Sequence, residues 1–332
     1  MNRPTLEAVA ARAGVGRGTV SRVINGSPNV SAKAREAVHQ AIQELGYVPN
    51  RAARALVTRR TDTVALVVSE SELRVFDEPY FAGTIRGIGS ALSETGLQLI
   101  LAMAQSPEEH ERLEHYLTGQ HVDGVLLLSL HGADPLPGRL EAMGVPTVLG
   151  GRPVGLDPYS YVDMDNRAGA RQAVKHLLGL GRSAIATIAG PQDMGVGVDR
   201  LAGYRDALLS SDMPELVAYG DFSEESGASA MRELLDRHPR LDAVFTASDL
   251  MAVGAMRVLK AAGRSVPGDV AVVGFEDSKA ALHTDPPLTT VHQPTEAMGR
   301  QMAQLLVARI NGEELRQPVV ILDTYLVRRE SA

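Results

Sequence analysis

Residues 110–115, HERLEH, pair histidine with glutamate in the way that zinc sites often do. The zinc-binding pattern HExxH places its histidines four residues apart, so that both reach one metal ion from one face of a helix. His110 and His115 are five residues apart, which turns them by roughly 500° about a helix axis. Their side chains therefore diverge, and we interpret the segment as a solvated charged helix without a metal.

Other arrangements that support catalysis or cofactor binding are missing from the sequence. The absence of cysteine excludes a thiolate zinc site and a cysteine nucleophile, and it is typical of a reducing cytoplasm. No GxGxxG motif follows the first predicted strand, and neither a phosphate-binding GxxxxGK loop nor a GxSxG nucleophile motif occurs. We therefore expect no cofactor and no enzymatic activity.

The polar residues of segment 17–25 suit a different chemistry, contacts to the edges of DNA bases. Arginine forms paired hydrogen bonds with guanine O6 and N7, so Arg17 at the start of the segment predicts a G·C-rich operator. The residues placed for base contacts are Arg17, Gly18, Thr19, Ser21, Arg22 and Asn25.

The charge distribution supports a nucleic-acid partner for the same end of the chain. Residues 1–61 contain ten Lys and Arg but three Asp and Glu, whereas the remainder contains 23 and 37. A basic segment on an acidic body suggests that the segment alone meets a polyanion. A solvated basic arm would have the same charge, so the pattern within the segment has to decide.

Helical periodicity places the base-contacting residues in a three-helix headpiece. Thr5 is a good N-cap for a helix that ends at Gly14, and Ser31 is a good N-cap for one that ends at Gly46. Between them, residues 17–25 form a second short helix. Two short helices joined by a turn of three or four residues make a helix-turn-helix. The alternative is a three-helix domain that contacts another protein.

Residues 5–56 closely resemble the headpiece of the lactose/galactose repressor family. The matching stretches are TVSRVING, VSAKAREAV, ELGYVPN and an alanine-rich segment that ends in Leu56. The resemblance implies that the last segment is a hinge helix, which folds on DNA, pairs with its twin and inserts Leu56 into the minor groove. One departure is Gly16, since many members have serine at this N-cap.

The resemblance also implies partners and contacts. We expect a homodimer, rather than a tetramer, on a palindromic double-stranded DNA operator with half-sites about one helical turn apart. No leucine heptad follows the last predicted strand. The predicted DNA-binding residues are Thr5, Arg17, Gly18, Thr19, Ser21, Arg22, Asn25, Ser31, Tyr47, Asn50, Arg51, Ala53, Arg54 and Leu56.

From residue 63 onward, apolar runs of strand length alternate with segments of helical period. Continuous Val, Ile and Leu strands are buried on both faces, which predicts doubly wound parallel sheets. Stretches such as HVDGVLLLS, FTASDLMAVGAM and VPGDVAVVGFEDS resemble the periplasmic-binding-protein-like effector domain of the same family. VGRGTVSRVING and IAGPQDM are most similar to cellobiose-responsive repressors of actinobacterial type.

The predicted fold class is therefore α/β, with an N-terminal helix-turn-helix headpiece and a periplasmic-binding-protein-like domain of two doubly wound parallel-sheet subdomains. The predicted headpiece spans 1–49, and the hinge helix and linker span 50–61. The effector N-subdomain is 62–162 plus 292–320, and the C-subdomain is 163–291 plus 321–332. We expect one helix at 295–311 and one final strand at 319–328.

Ligands of open α/β sheets bind beyond the carboxyl ends of the strands. Ser248 and Asp249 follow one predicted strand and Glu276 follows another, where the family usually has aspartate. The resemblance implies that Arg200 binds sugar hydroxyls or a carboxylate and that Phe222 packs on the face of a pyranose ring. The predicted effector-binding residues are Tyr80, Phe81, Arg152, Arg200, Phe222, Ser248, Asp249, Glu276 and Gln293.

These candidates have alternative interpretations. Arg200 would form an ion pair if it lay on a helix surface, and Phe222 would be a plain core residue. Asp249 would serve as the N-cap of the next helix. Of Tyr80 and Phe81, at least one is expected to be a packing residue.

Together these observations predict a cytoplasmic repressor of sugar-utilisation genes. A sugar, cellobiose or another β-glucoside, would control its operator affinity. A purine or nucleoside corepressor is the alternative effector. A sugar-binding receptor is the alternative class, but it requires export, and MNRPTLEAVAARAG lacks the apolar run of a secretory signal. No apolar stretch approaches the ~18 residues that cross a bilayer.

Overall fold

The computed structural model describes residues 4–48, 60–104, 106–152, 160–209, 211 and 213–332. They fall into two compact units, a headpiece that ends at Asp62 and a body that begins at Thr63.

The headpiece packs three short helices around a small apolar core. Its helices are α1 (Leu6–Ala13), α2 (Arg17–Ile24) and α3 (Ala32–Leu45). As predicted for N-caps, the Thr5 and Ser31 hydroxyls accept backbone N–H bonds from three residues on, at 3.2 and 3.3 Å. Val9, Val20 and Val38 are fully buried at the centre. The predicted helix-turn-helix is confirmed.

The body contains two sheets, of which the first is entirely parallel in the described residues. Its strands are β1 (Thr63–Val68), β2 (Gln98–Met103), β3 (Gly124–Leu128), β4 (Thr147–Gly150), β5 (Tyr161–Met164) and β11 (Val319–Leu322). Their order across the sheet is β11-β5-β4-β3-β1-β2. The central β3 is buried along its whole length, whereas β2 at the edge has alternating exposure. The burial of β3 follows from helices that cover both faces of the sheet.

The second sheet repeats this architecture. Its strands are β6 (Ile185–Ala189), β7 (Leu216–Tyr219), β8 (Ala243–Thr246), β9 (Ala271–Glu276), β10 (Thr289–His292) and β12 (Tyr325–Val327). Their order is β12-β10-β9-β8-β6-β7, and the pairing of β12 with β10 is antiparallel. The expectation of purely parallel sheets is therefore wrong at this edge.

Helices cover both sheets and define two lobes. The first lobe consists of the first sheet with α4 (Glu72–Asp77), α5 (Pro79–Leu92), α6 (Pro107–Thr118), α7 (Leu136–Ala142) and α13 (Thr295–Ile310). The second lobe consists of the second sheet with α8 (Asn166–Gly179), α9 (Gly195–Leu208), α10 (Glu224–Arg237), α11 (Asp249–Ala261) and α12 (Lys279–His283). Within the described ranges, no helix has the length and apolarity needed to cross a membrane.

The chain passes between the lobes at different residues from those predicted. The expected boundaries at 162/163, 291/292 and 320/321 fall inside β5, β10 and β11, so each shifts to the end of its strand. The single strand expected at 319–328 is two strands, because β11 joins the first sheet and β12 the second. Thr324 lies between them, and its hydroxyl donates to the Asp165 carbonyl at 3.1 Å.

Candidate functional site

The two lobes enclose a cleft at the carboxyl ends of their parallel strands. Its empty space, including the part that is open to solvent, is about 700 Å³. Seven of the nine predicted effector residues line it: Tyr80, Phe81, Arg152, Arg200, Phe222, Glu276 and Gln293. The strand-end position is the one expected for a ligand site of an open α/β sheet.

Arg200 of α9 holds its guanidinium group deep in this cleft. The residue is 2% exposed, so it is not a surface arginine. Its Nε donates to Asn166 Oδ1 at 3.0 Å and its Nη1 to the Ala247 carbonyl at 2.5 Å. Its Cζ lies 3.7 Å from the centroid of the Phe275 ring, a cation–π contact. Burial lowers the pKa of Arg200 to about 10, so it remains a protonated donor at neutral pH.

Two carboxyl groups that line the cleft interact electrostatically with Arg200. Asp163 lies in β5, and burial raises its pKa to about 6 although two backbone N–H bonds oppose the shift. Glu276 ends β9, and desolvation raises its pKa, with a further increase from Asp249 and a decrease from Arg200. Carboxyl groups that titrate closer to neutral pH can donate as well as accept hydrogen bonds, as a polyhydroxyl ligand requires.

Phe222 lies after β7 in a left-handed backbone conformation, with φ of 75°, which is uncommon for a residue other than glycine. Its carbonyl accepts a hydrogen bond from Ser248 Oγ at 3.2 Å. Its ring packs against Gly190, where an added Cβ would lie 2.4 Å from ring carbons. These contacts hold the ring in the cleft wall, so Phe222 is not only a core residue.

Ser248 and Asp249 lie outside the cleft wall, which corrects the expectation that they contact the effector. Ser248 is the N-cap of α11, so Asp249 is not the cap either. The Asp249 carboxylate accepts from Thr290 Oγ1 at 2.5 Å and from the Ser278 N–H at 2.7 Å. Both side chains therefore serve local structure: Ser248 caps α11 and donates to the Phe222 carbonyl, and Asp249 joins β10 to the N-cap of α12.

The first lobe and the crossover contribute Tyr80, Phe81 and Gln293. The rings of Tyr80 and Phe81 meet edge to face with centroids 5.2 Å apart. Phe81 is 1% exposed, so it is the packing residue of the two. Gln293 is 7% exposed, and its Oε1 has no hydrogen-bond partner in the described residues. Because an unpaired buried acceptor is costly, this oxygen is available to a ligand hydroxyl.

Several polar residues of the cleft wall escaped the sequence analysis: Arg74, Glu78, Ser129, Asp163 and Asn166. Ser129 follows β3, and Asp163 and Asn166 lie at the end of β5. The strand-end rule applied to these strands would have found all three. Arg74 and Glu78 lie on α4 and at its junction with α5, where no sequence pattern marks them.

Ion pairs join the two lobes across the cleft. Arg152 Nη2 lies 2.9 and 3.0 Å from the two carboxylate oxygens of Asp199. His131 Nδ1 lies 2.8 Å from Asp193 Oδ2, and its Nε2 lies 3.0 Å from Glu70 Oε1. Hydrogen bonding to Glu70, and then to Asp193, raises the pKa of His131 to about 9. The protonated imidazole therefore bridges carboxylates from both lobes.

The headpiece presents the predicted base-contacting residues on one helix. Arg17, Gly18, Arg22 and Asn25 are exposed, whereas Thr19 and Ser21 are half-buried. Arg17 Nη1 lies 3.1 Å from Glu7 Oε1, and both side chains are largely exposed. Such surface pairs are weak, so Glu7 does not hold the Arg17 side chain firmly.

The remaining predicted DNA-binding residues do not belong to α2. Thr5 and Ser31 cap helices, and Tyr47 packs against the headpiece core. Five predictions lie outside the described residues: Asn50, Arg51, Ala53, Arg54 and Leu56.

Comparison with known proteins relates both units to bacterial regulators. Residues 5–50 match the lacI family of bacterial regulatory proteins, and residues 174–332 match a periplasmic binding protein-like domain. The chain is 63% identical to the HTH-type transcriptional regulator CelR of Thermobifida fusca, over 99% of this chain and 98% of that protein. The chain belongs to the lacI family.

Solved structures of bacterial regulators align with 99% of the chain. A complex of the transcriptional regulator CelR with cellobiose is 61% identical, with a TM-score of 0.80 over 99% of this chain and 100% of that one. The lac repressor dimer bound to operator and the anti-inducer ONPF is 29% identical, with a TM-score of 0.86 over 99% of each chain. The predicted family, fold class and DNA-binding regulatory function, rather than an enzymatic one, are confirmed.

Proposed function

We propose that this regulator represses sugar-utilisation genes and that cellobiose, or a related β-glucoside, controls its affinity for operator DNA from the cleft between the lobes. The observation that carries the proposal is the balanced set of charges in the cleft wall. Arginines at 74, 152 and 200 stand beside the carboxyl groups of Glu78, Asp163 and Glu276.

A wall of this kind favours a neutral ligand with many hydroxyl groups. Each hydroxyl both donates and accepts hydrogen bonds, so it can be shared between a guanidinium and a carboxylate. A phosphorylated or otherwise anionic ligand would find no excess of positive charge in this wall, because a carboxyl group stands beside each arginine. The identity of 61% to a regulator solved with cellobiose supports this sugar.

The same proposal assigns the DNA contacts to the exposed face of α2. Arg17 would read guanine in the major groove of a palindromic G·C-rich operator, with the chain bound as a homodimer. The alignment with the lac repressor dimer on operator DNA supports this arrangement. We place the protein in the cytoplasm, where its operator lies.

Sugar control would operate by population shift. Cellobiose would favour one closure of the lobes and operator DNA another. Leu56 in the hinge segment would insert into the minor groove only in the DNA-bound arrangement.

A thermal-shift screen tests the effector. A ligand at ~100 times its dissociation constant adds about 2.7 kcal/mol to the stability of the folded state. We expect cellobiose and related β-glucosides to raise the melting temperature of the full chain, and maltose, its α-linked counterpart, to act as a matched control. If no sugar changed the melting temperature and a purine raised it, the proposal of a sugar effector would be overturned.

Operator binding tests the role of Arg17. Arg17→Ala should weaken binding by about 1–3 kcal/mol and relax the choice at one base pair per half-site. Arg12→Ala is the control, since Arg12 pairs with Glu44 on another part of the headpiece. If Arg17→Ala weakened binding to operator and to scrambled DNA equally, Arg17 would contact a phosphate rather than a base.

A further inference from the structure

The first-lobe side of the cleft holds an arginine that two carboxylates orient. Arg74 Nε donates to Glu78 Oε1 at 2.5 Å, and Nη1 lies 2.9 Å from both oxygens of Glu70. Ser129 Oγ donates to Glu70 at 2.6 Å. Arg74, Glu78 and Ser129 all line the cleft. This network fixes the guanidinium before any ligand arrives, which is the arrangement of a recognition group rather than of a mobile surface arginine.

Two groups of this network remain available to a ligand. Within the described chain, neither Arg74 Nη2 nor Glu78 Oε2 has a hydrogen-bond partner, although Nε and Oε1 of the same pair are bound to each other. A donor beside an acceptor is what one hydroxyl group, or two neighbouring ones, can satisfy. The Arg74–Glu78 pair therefore has the chemistry of a sugar contact.

The ring of Phe222 lies near both this pair and the deeper polar groups. The Cζ atom of Arg74 is 5.5 Å from the Phe222 centroid, and the Cζ atom of Arg200 is 5.9 Å from the same centroid. The two arginines come from different lobes. The cleft thus has polar groups from each lobe, which we call its two ends, near one apolar ring.

The two ends are chemically alike. The inner end combines Arg200 with Asn166, Glu276 and the unpaired Oε1 of Gln293. The outer end combines Arg74 with a carboxylate and a hydroxyl. Each end therefore offers guanidinium donors beside carboxyl and neutral acceptors. A ligand built of two similar hydroxyl-rich units, joined across an apolar ring, matches this repetition.

We propose that the cleft contains two ring subsites, and that Arg74 and Glu78 form the outer one, which takes the second ring of a disaccharide. This proposal rests on the sugar effector proposed above and adds the residues that select a disaccharide over a single sugar. Arg200 and Asn166 hold the first ring, and Arg74 with Glu78 determines specificity for the second.

A double-mutant cycle that combines protein variants with ligand analogues tests the assignment of these residues to the two rings. The probes are cellobiose and its monodeoxy analogues, which lack one hydroxyl on either ring, titrated calorimetrically into the full chain. The variants are Arg74→Met and Asn166→Ala. Glu78→Gln serves as an isosteric second variant, because Arg74→Met removes the hydrogen-bond partner of Glu78 and one of the partners of Glu70. Arg139→Met is the matched control, since Arg139 pairs with Glu114 on the surface, where it is 58% exposed.

In wild-type protein, removal of a bound hydroxyl should weaken binding by roughly tenfold, because its protein partners stay unpaired. In the Arg74→Met and Glu78→Gln proteins, removing a hydroxyl from one of the two sugar rings should no longer weaken binding. Removing a hydroxyl from the other ring should weaken binding as it does in wild type. Asn166→Ala should show the opposite ring pattern, and Arg139→Met should match wild type. Coupling of this kind identifies groups in direct contact.

Additive effects would overturn the outer subsite: Arg74→Met and Glu78→Gln would then weaken every analogue by the same factor as cellobiose. Unchanged cellobiose affinity in both variants would overturn it as well. Failure of wild-type protein to bind cellobiose contradicts the proposed effector itself, and so is distinct from either result.

Discussion

The two lobes contribute to the cleft in different ways. Arg200 and Phe222 of the second lobe are 2% and 6% exposed and are held by packing and by bonds to the backbone. Arg74 and Arg152 of the first lobe have side chains that are 19% and 44% exposed and are held by ion pairs. The second lobe therefore holds its cleft residues by burial, whereas the first lobe holds Arg74 by ion pairs within that lobe and Arg152 by an ion pair with Asp199 across the cleft.

Removal of the Arg200 guanidinium should have the largest effect. Arg200→Met leaves buried carboxyl groups without their cation, so we expect the free energy of unfolding to fall by about 3–5 kcal/mol. Cellobiose affinity should fall by more than about 30-fold, the usual cost of truncating a buried charged contact. Urea unfolding and calorimetric titration measure the two losses.

Arg152→Met is the matched variant in the first lobe. Its ion pair with Asp199 is partly exposed, so the loss of stability should stay below about 1 kcal/mol. Equal losses of stability for the two arginines would contradict the distinction between the buried Arg200 of the second lobe and the partly exposed ion pair of Arg152 in the first.

A methyl group at Gly195 should block closure without disturbing either lobe. Gly195 begins α9 in the second lobe, and an added Cβ would lie 2.0 Å from the carbonyl oxygen of Arg152 in the first lobe. Gly195→Ala should therefore lower cellobiose affinity by roughly tenfold or more, because the binding-competent arrangement becomes a minor one. Operator affinity without sugar should be retained.

Gly138→Ala is the control for this substitution, since nothing lies within 4 Å of a Cβ at Gly138. It should bind cellobiose as wild type does. A Gly195→Ala protein with normal cellobiose affinity would show that the closed arrangement is not the one that binds sugar.

The smallest expected effect is the pH dependence of the His131 contact. Its pKa of about 9 lies above the ordinary 6.5. Its contribution to stability is therefore complete below about pH 6.5 and is lost as the pH rises through about 9. Because the His131 side chain is 35% exposed, we expect about 1 kcal/mol or less.

Urea unfolding of wild type and His131→Gln over this pH range measures the contribution. The difference between the two proteins should shrink as the pH approaches about 10. A difference that is constant with pH would exclude a charged imidazole at this contact.

The sequence predicted the local elements better than their partners. Helix caps at Thr5 and Ser31 and the alternation of strands and helices were correct, because caps and periodicity are local properties. The separation of β11 from β12 was not predictable, since the sheet that a strand joins depends on residues far away in the chain.

The candidate site shows the same contrast between local features, which the sequence predicts, and features that depend on packing, which it does not. Glu276 was found because it follows a buried strand, and Arg200 and Phe222 because their motifs resemble those of the family. Ser248 was misplaced because the turn directs its hydroxyl into a helix cap. Arg74 was missed, since only the packed arrangement places α4 beside Phe222.

Operator affinity with and without cellobiose decides whether the cleft controls DNA binding. Fluorescence anisotropy of labelled operator should show that cellobiose changes the Kd of wild-type protein by roughly 5–150-fold. Bound operator should change the Kd for cellobiose by the same factor, because coupling between two sites is reciprocal. An operator Kd that stays the same while cellobiose occupies the cleft would contradict the account.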